Sequence, residues 1–64
     1  DKVTINGWEI TVKLYDITGK EVLVNQHNSG NSIDLDLSTT PKGMYLTSIT
    51  NQAGETVVKK ILVK

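Results

Sequence analysis

Cysteine and arginine are absent from this chain of 64 residues, and histidine and proline occur once each. Without cysteine and with only His27, neither a disulfide framework nor a Cys/His zinc cluster is available. The seven basic residues are therefore all lysines, and seven carboxylates balance them to a formal charge of zero. No basic stripe exists to displace counterions from a nucleic acid, and nucleic-acid binding is set aside. No apolar run approaches the roughly 20 residues that a membrane-spanning helix needs. The opening Asp1-Lys2-Val3-Thr4 lacks the charged and apolar regions of a signal peptide, so the chain is expected to be soluble or cut from something larger. No stretch keeps a 3.6-residue period over three turns, which excludes substantial helix.

What remains is a short chain that must hold together by packing and strand pairing. Single cores seldom divide below roughly 100 residues, so residues 1–64 are read as one domain. A domain this small buries only about 60% of its unfolded surface, against an ordering cost on the order of 100 kcal/mol. The margin is narrow.

The apolar pattern has a period close to two. Val3 and Ile5 alternate with Lys2 and Thr4, and Asn6-Gly7 follows, the strongest short hairpin signal, so a hairpin is predicted between the first two strands. Ile10, Val12 and Leu14 alternate with Thr11, Lys13 and Tyr15 to give a second strand with one core face. Asp16-Ile17-Thr18-Gly19-Lys20 reads as a tight turn, with the Asp16 side chain bonding backbone amides ahead of it and Gly19 in a left-handed conformation. Val22, Leu23 and Val24 read as a short apolar strand, closed by the polar loop Asn28 to Ser32. Ile33, Leu35 and Leu37 alternate with Ser32, Asp34 and Asp36, which predicts one buried face and one charged face that discourages edge pairing. Pro41 and Gly43 mark a turn before a long strand from Met44 to Thr50. Asn51-Gln52-Ala53-Gly54 reads as a hairpin loop, and Thr56 to Val63 as a final antiparallel strand. Short strands at regular spacing predict an all-β sandwich or small barrel.

Several residues suggest chemistry that their surroundings do not support. His27 would need carboxylates alone to complete a metal site and reads as a solvated loop residue. Asp34 and Asp36 share a strand face, but calcium needs six or more oxygens and no Asp-x-Asp-x-Asp-Gly loop is present. Paired glycosidase carboxylates require a cleft that a sandwich of this size has no room for. Asp16 to Gly19 superficially resembles an aspartic-protease loop and is accounted for by turn chemistry. No nucleophile elbow surrounds any serine or threonine, so no enzyme and no cofactor is expected. Trp8, Tyr15 and Tyr45 are candidates for a carbohydrate-stacking platform or for core plugs.

Three stretches, in order, resemble the C-terminal sorting domains of type IX secretion cargo in Bacteroidetes-type bacteria. Val12 to Val22 is similar to that family's strand, Asp-x-x-Gly turn and following strand, with Asp16 and Gly19 in the motif positions. Ile33-Asp34-Leu35, Leu37 and then Pro41-Lys42-Gly43-Met44-Tyr45-Leu46 are similar to its Leu-x-x-Gly-x-Tyr region with a longer spacer, which places Gly43 and Tyr45 in the motif. Gly54 followed by Val57-Val58-Lys59-Lys60-Ile61-Leu62-Val63-Lys64 is similar to the basic, apolar strand on which the family's chains end. The likeness spans Ile10 to Lys64. Two departures stand out: the family's Pro-Asn-Pro opening is absent, which leads us to expect its first strand upstream of Asp1, and Thr47 occupies a position where an apolar residue is more usual.

The resemblance implies an antiparallel immunoglobulin-like β-sandwich of about six to seven short strands that serves as an export address. It implies a domain at the end of a larger secreted protein, recognised by the outer-membrane translocon, removed by a sortase-like protease, and delivering cargo to the cell surface or the medium. Strand addition to an open edge is a recurrent mode of recognition, which makes Val57, Val58, Lys59, Lys60, Ile61, Leu62, Val63 and Lys64 the candidate contact segment, with the lysines steering docking. The rival expectation is an accessory carbohydrate- or protein-binding module, since fold alone does not choose. Two or more exposed coplanar aromatic rings would favour the rival, and a buried Tyr45 beside an exposed basic terminal strand would favour the address. An open edge would also admit a weak dimer.

Overall fold

In the computed structural model, which describes residues 2–64, the alternating pattern forms seven strands. They are β1 (Lys2–Asn6), β2 (Thr11–Asp16), β3 (Glu21–Val22), β4 (Asn25–Asn28), β5 (Ser32–Asp36), β6 (Gly43–Thr50) and β7 (Thr56–Val63). Two antiparallel sheets result, one of three strands in the order β1-β5-β4 and one of four in the order β3-β2-β6-β7. The core is Val12, Leu14, Ile33, Leu35, Leu37, Tyr45 and Val63, with Val3, Ile5, Ile10, Val22, Val24, Ile49 and Ile61 packed around it. Every strand except β4 contributes to this layer, because period-two alternation puts one row of each strand between the sheets.

The predicted turns at Asp16 and Asn51 share one construction. In each, the fourth residue is a left-handed glycine, Gly19 with φ 88° and Gly54 with φ 86°. Its amide donates to the first residue's carbonyl at 3.0 Å, and that first residue's amide donates to the carbonyl of the residue after the glycine at 2.9 Å. The side-chain oxygen of the first residue takes two further amides, those of Thr18 and Lys20 at 2.9 and 3.1 Å, or those of Ala53 and Glu55 at 3.0 Å each. A short acceptor followed three residues later by glycine is what this three-residue hairpin loop requires.

Four readings are corrected. Asn6-Gly7 is not a hairpin: β1 pairs with β5 and lies in the other sheet from β2. Asn6 keeps a negative φ and stays in register with Ser32, so the positive φ at both central residues that a tight hairpin demands is not met. The reversal falls instead at Trp8-Glu9, where Glu9 has φ 52°, and it carries the chain across the core. Gly7 is needed for space, since a Cβ there would lie 2.7 Å from Ile10 Cγ2. Secondly, Val22 to Val24 is not one strand. Only Val22 continues the ladder with β2, and Leu23 is 88% exposed as the chain leaves for the other sheet. Thirdly, His27 and Asn28, read as loop, lie in the strand β4. This all-polar strand is held by its ladder to β5 and by Gln26 Nε2 donating to the Val12 carbonyl at 3.0 Å. β5 itself is the central strand of its sheet, so its carboxylates serve neighbours instead of guarding an edge. Asp34 accepts from Thr4 Oγ1 at 2.7 Å and lies 3.8 Å from Lys2 Nζ.

Candidate functional site

The last strand is held on one side only. β7 runs antiparallel to β6 from Thr50↔Thr56 to Gly43↔Val63, and its other edge is open. Val63 is buried and Ile61 packs on the core, so by period two Val57 and Lys59 point to the same inner side, and Val58, Lys60 and Leu62 to the outer side. The inner row is buried only at its C-terminal end: Val57 and Lys59 are exposed because the three-stranded sheet does not reach over them. The outer row joins Met44 and Leu46 of β6 and Tyr15 of β2, which gives this face an apolar band with Lys13 and Lys60 upon it. The outer face of the other sheet is polar throughout, with Lys2, Thr4, Asn25, His27, Asp34 and Asp36. Among the described residues, Lys59, Lys60 and Lys64 are all exposed and make no ion pair.

The remaining motif residues hold the corners of the domain. Asp16 and Gly19 build the β2–β3 turn, and Gly54 the β6–β7 turn. Thr18's hydroxyl, donating to Asp16 at 2.6 Å, is the first cause that holds the Asp16 carboxyl below its ordinary value of 3.8, with the Lys20 and Thr18 amides adding to it. The Asp36 carboxyl is lowered likewise, first by the Ser38 amide at 3.0 Å and then by the Ser38 hydroxyl. Tyr45 is buried to 7% exposure, and its hydroxyl donates to the Pro41 carbonyl four residues upstream at 2.7 Å. That bond ties the turn before β6 to the core in the manner of the tyrosine corner of immunoglobulin-type sandwiches. A Cβ on Gly43 would meet Tyr45 Cε1 at an ordinary 3.9 Å, so the glycine serves its backbone angle, φ 150°, and not a close approach.

A family model described as a secretion system C-terminal sorting domain matches residues 1–64. The chain belongs to that family. Nothing matches among the curated proteins or the solved structures. The sorting domain is the C-terminal secretion signal of the type IX system: it engages that machinery, and its carrier is exported through the outer membrane to the cell surface or the medium. Among the described residues no helix is long and apolar enough to cross a membrane.

The aromatic residues do not form a shared platform. Trp8 is 65% exposed over Gly30, Tyr15 is half-buried on the outer face of the four-stranded sheet, and Tyr45 is in the core. The sorting domain therefore presents a buried Tyr45 and an exposed basic strand. Two features had no signature in the sequence. One is the split of β7 into two rows of different burial. The other is an open groove between β1 and β7, about 660 Å³ in volume. Both depend on how far one sheet overhangs the other.

Proposed function

We propose that residues 1–64 act as one non-catalytic address carried behind a larger cargo, and that the translocon reads the terminal segment Val57 to Lys64. The observation that carries this reading is the state of β7, an open-edged strand whose lysines have no ion-pair partner among the described residues. An open edge offers backbone groups for strand addition, and unpaired lysines raise the encounter rate with an acidic receptor surface. Asp16, Gly19, Gly43, Tyr45 and Gly54 hold the turns that present this strand and are not contacts themselves. After passage a sortase-like protease removes the domain.

The test is export of a periplasm-directed fluorescent protein fused ahead of this segment, in a bacterium with the type IX apparatus. Deletion of Val57 to Lys64 would be uninformative, since it removes Val63 from the core and nearly all of the β6–β7 pairing. The informative variant is Lys59→Glu, Lys60→Glu and Lys64→Glu together, at exposed positions that leave the core intact. The unaltered segment should deliver reporter to surface or medium, and the triple variant, still folded, should retain it in the periplasm with roughly tenfold less exported. Equal export by both would show that the lysines of the terminal strand are not what is read.

A further inference from the structure

Among the edge strands, β3 has two residues, β4 four and β1 five, whereas β7 has eight. β7 is also rich in β-branched and aliphatic residues, and Val57, Val58 and Leu62 are more than half exposed. A long apolar edge of this kind is a template for pairing with another chain, and the first chain available to it is a second copy. In the middle of the strand stand Lys59 and Lys60, one on the inner row and one on the outer, both exposed and without an ion pair among the described residues.

Two identical edges pair antiparallel about a two-fold axis perpendicular to the sheet. Inner rows then stay with inner rows, one residue faces its own copy, and the rest pair symmetrically about it. Within Thr56–Val63 only two centres keep seven residues paired: centred on Lys59 the stretch is Thr56 to Leu62, and centred on Lys60 it is Val57 to Val63. Any other centre keeps five or fewer, since from Val58 the stretch ends at Lys60 and from Ile61 it starts at Lys59. The two longest registers are thus the two that set a lysine against its own copy, with Cβ atoms about 5 Å apart, where like charges destabilise the ladder. In each of them the other lysine lies diagonally across from its copy on the opposite face. A single lysine would close one register and leave the other; two adjacent lysines, one per row, close both.

We propose that Lys59 and Lys60 select by charge what adds to the β7 edge: they keep out a second copy of this chain and accept an extended segment with carboxylates at the positions opposite them. Exclusion of the second copy is a property of the strand itself and holds whatever the receptor reads. Acceptance of an acidic strand rests on the reading that the terminal strand is recognised, and it gives the lysines a part in which strand pairs as well as in how fast it arrives.

The probes are variants of the domain itself, followed by sedimentation equilibrium and by the concentration dependence of amide shifts in NMR. Lys59→Thr with Lys60→Thr removes both charges and keeps the strand preference, so this variant should self-associate at least about tenfold more tightly than the parent, with shifts at Val57 through Leu62 and none at Lys13 or Tyr15. Lys59→Glu with Lys60→Glu should stay monomeric alone, because a charge of either sign opposes its own copy, and should pair with the parent when the two are mixed. Salt at about 1 M should loosen that mixed pair. All the positions are exposed, and unchanged thermal melts separate these effects from unfolding. The proposal is overturned by a threonine variant that associates no better than the parent, by a glutamate variant that self-associates as the threonine variant does, by a mixture that pairs no better than either component alone, or by shifts confined to Tyr15 and Leu46 on the outer face. In the export assay, loss with the glutamate variant, still folded, supports acceptance of an acidic strand. Undiminished export by that variant overturns acceptance, while exclusion of the second copy stands or falls on the measured masses alone.

Discussion

Replacing Thr47 with valine should make this domain more stable. The Thr47 side chain is at 0% exposure and its hydroxyl lacks a partner among the described residues, so folding strips water from a polar group and returns nothing. A buried, unsatisfied hydroxyl costs about 1–3 kcal/mol. Valine keeps the branched shape and strand preference and puts a methyl where the oxygen was, against Leu14, its cross-strand neighbour in the core. Allowing for imperfect fit of the slightly larger methyl, we expect a gain of about 1–2 kcal/mol. Small domains unfold with an entropy of roughly 2.1 cal/mol/K per residue, so for 64 residues this is a rise in Tm of about 7–15 °C. Thermal unfolding by circular dichroism, with urea titration to show an unchanged m value, measures it. Thr47→Ser is the control: it keeps the hydroxyl, removes the methyl, and should lose about 1 kcal/mol. If the valine variant melts at or below the parent temperature, the hydroxyl is satisfied in solution and the argument from its burial fails.

Tyr45→Phe keeps the ring in the core and removes the bond to the Pro41 carbonyl, so it should cost about 1 kcal/mol, or a Tm lower by about 7 °C. A melt indistinguishable from the parent would show that the corner bond does not hold the turn. Acid stability follows from the carboxylates of Asp16 and Asp36, both titrating below their ordinary value of 3.8 in the folded state. Groups lowered in this way contribute stability above the unfolded pKa and lose it as pH falls through the folded one. The urea midpoint should therefore be nearly level from pH 7 to about 5 and decline below about 4. The pair Asp16→Asn and Asp36→Asn should flatten the decline, and an unchanged slope would assign acid sensitivity elsewhere.

A secretion signal is a function expressed through shape, and its residues divide accordingly. The Asp16–Gly19 and Asn51–Gly54 turns, with Tyr45, set where β7 lies, and in the reading proposed above β7 carries what a receptor reaches. Substitutions in the first group should act through folding, and substitutions at Lys59 or Lys60 through export with the melt unchanged.

The sequence by itself determined the strands whose two faces differ. Val12 with Leu14, Ile33 with Leu35 and Leu37, and β6 with β7 all follow from period-two alternation, because one row must leave water and the other need not. It determined both three-residue turns as well, since an Asp or Asn acceptor followed by glycine is a local requirement satisfied within five residues. The three weak motifs in register were likewise sufficient to name the family. The tertiary structure alone decided what depends on partners distant in the chain. Asn6-Gly7 has the chemistry of a hairpin, yet β1 gains more by pairing with β5, thirty residues on, and burying Val3 and Ile5 against the core. Asn25 to Asn28 has no apolar row to announce a strand, and only the open edge of β5 makes it one. The groove and the two rows of β7 belong to the same class: they arise because three strands face four, and strand count per sheet is set by pairing across the whole chain, which no local pattern encodes.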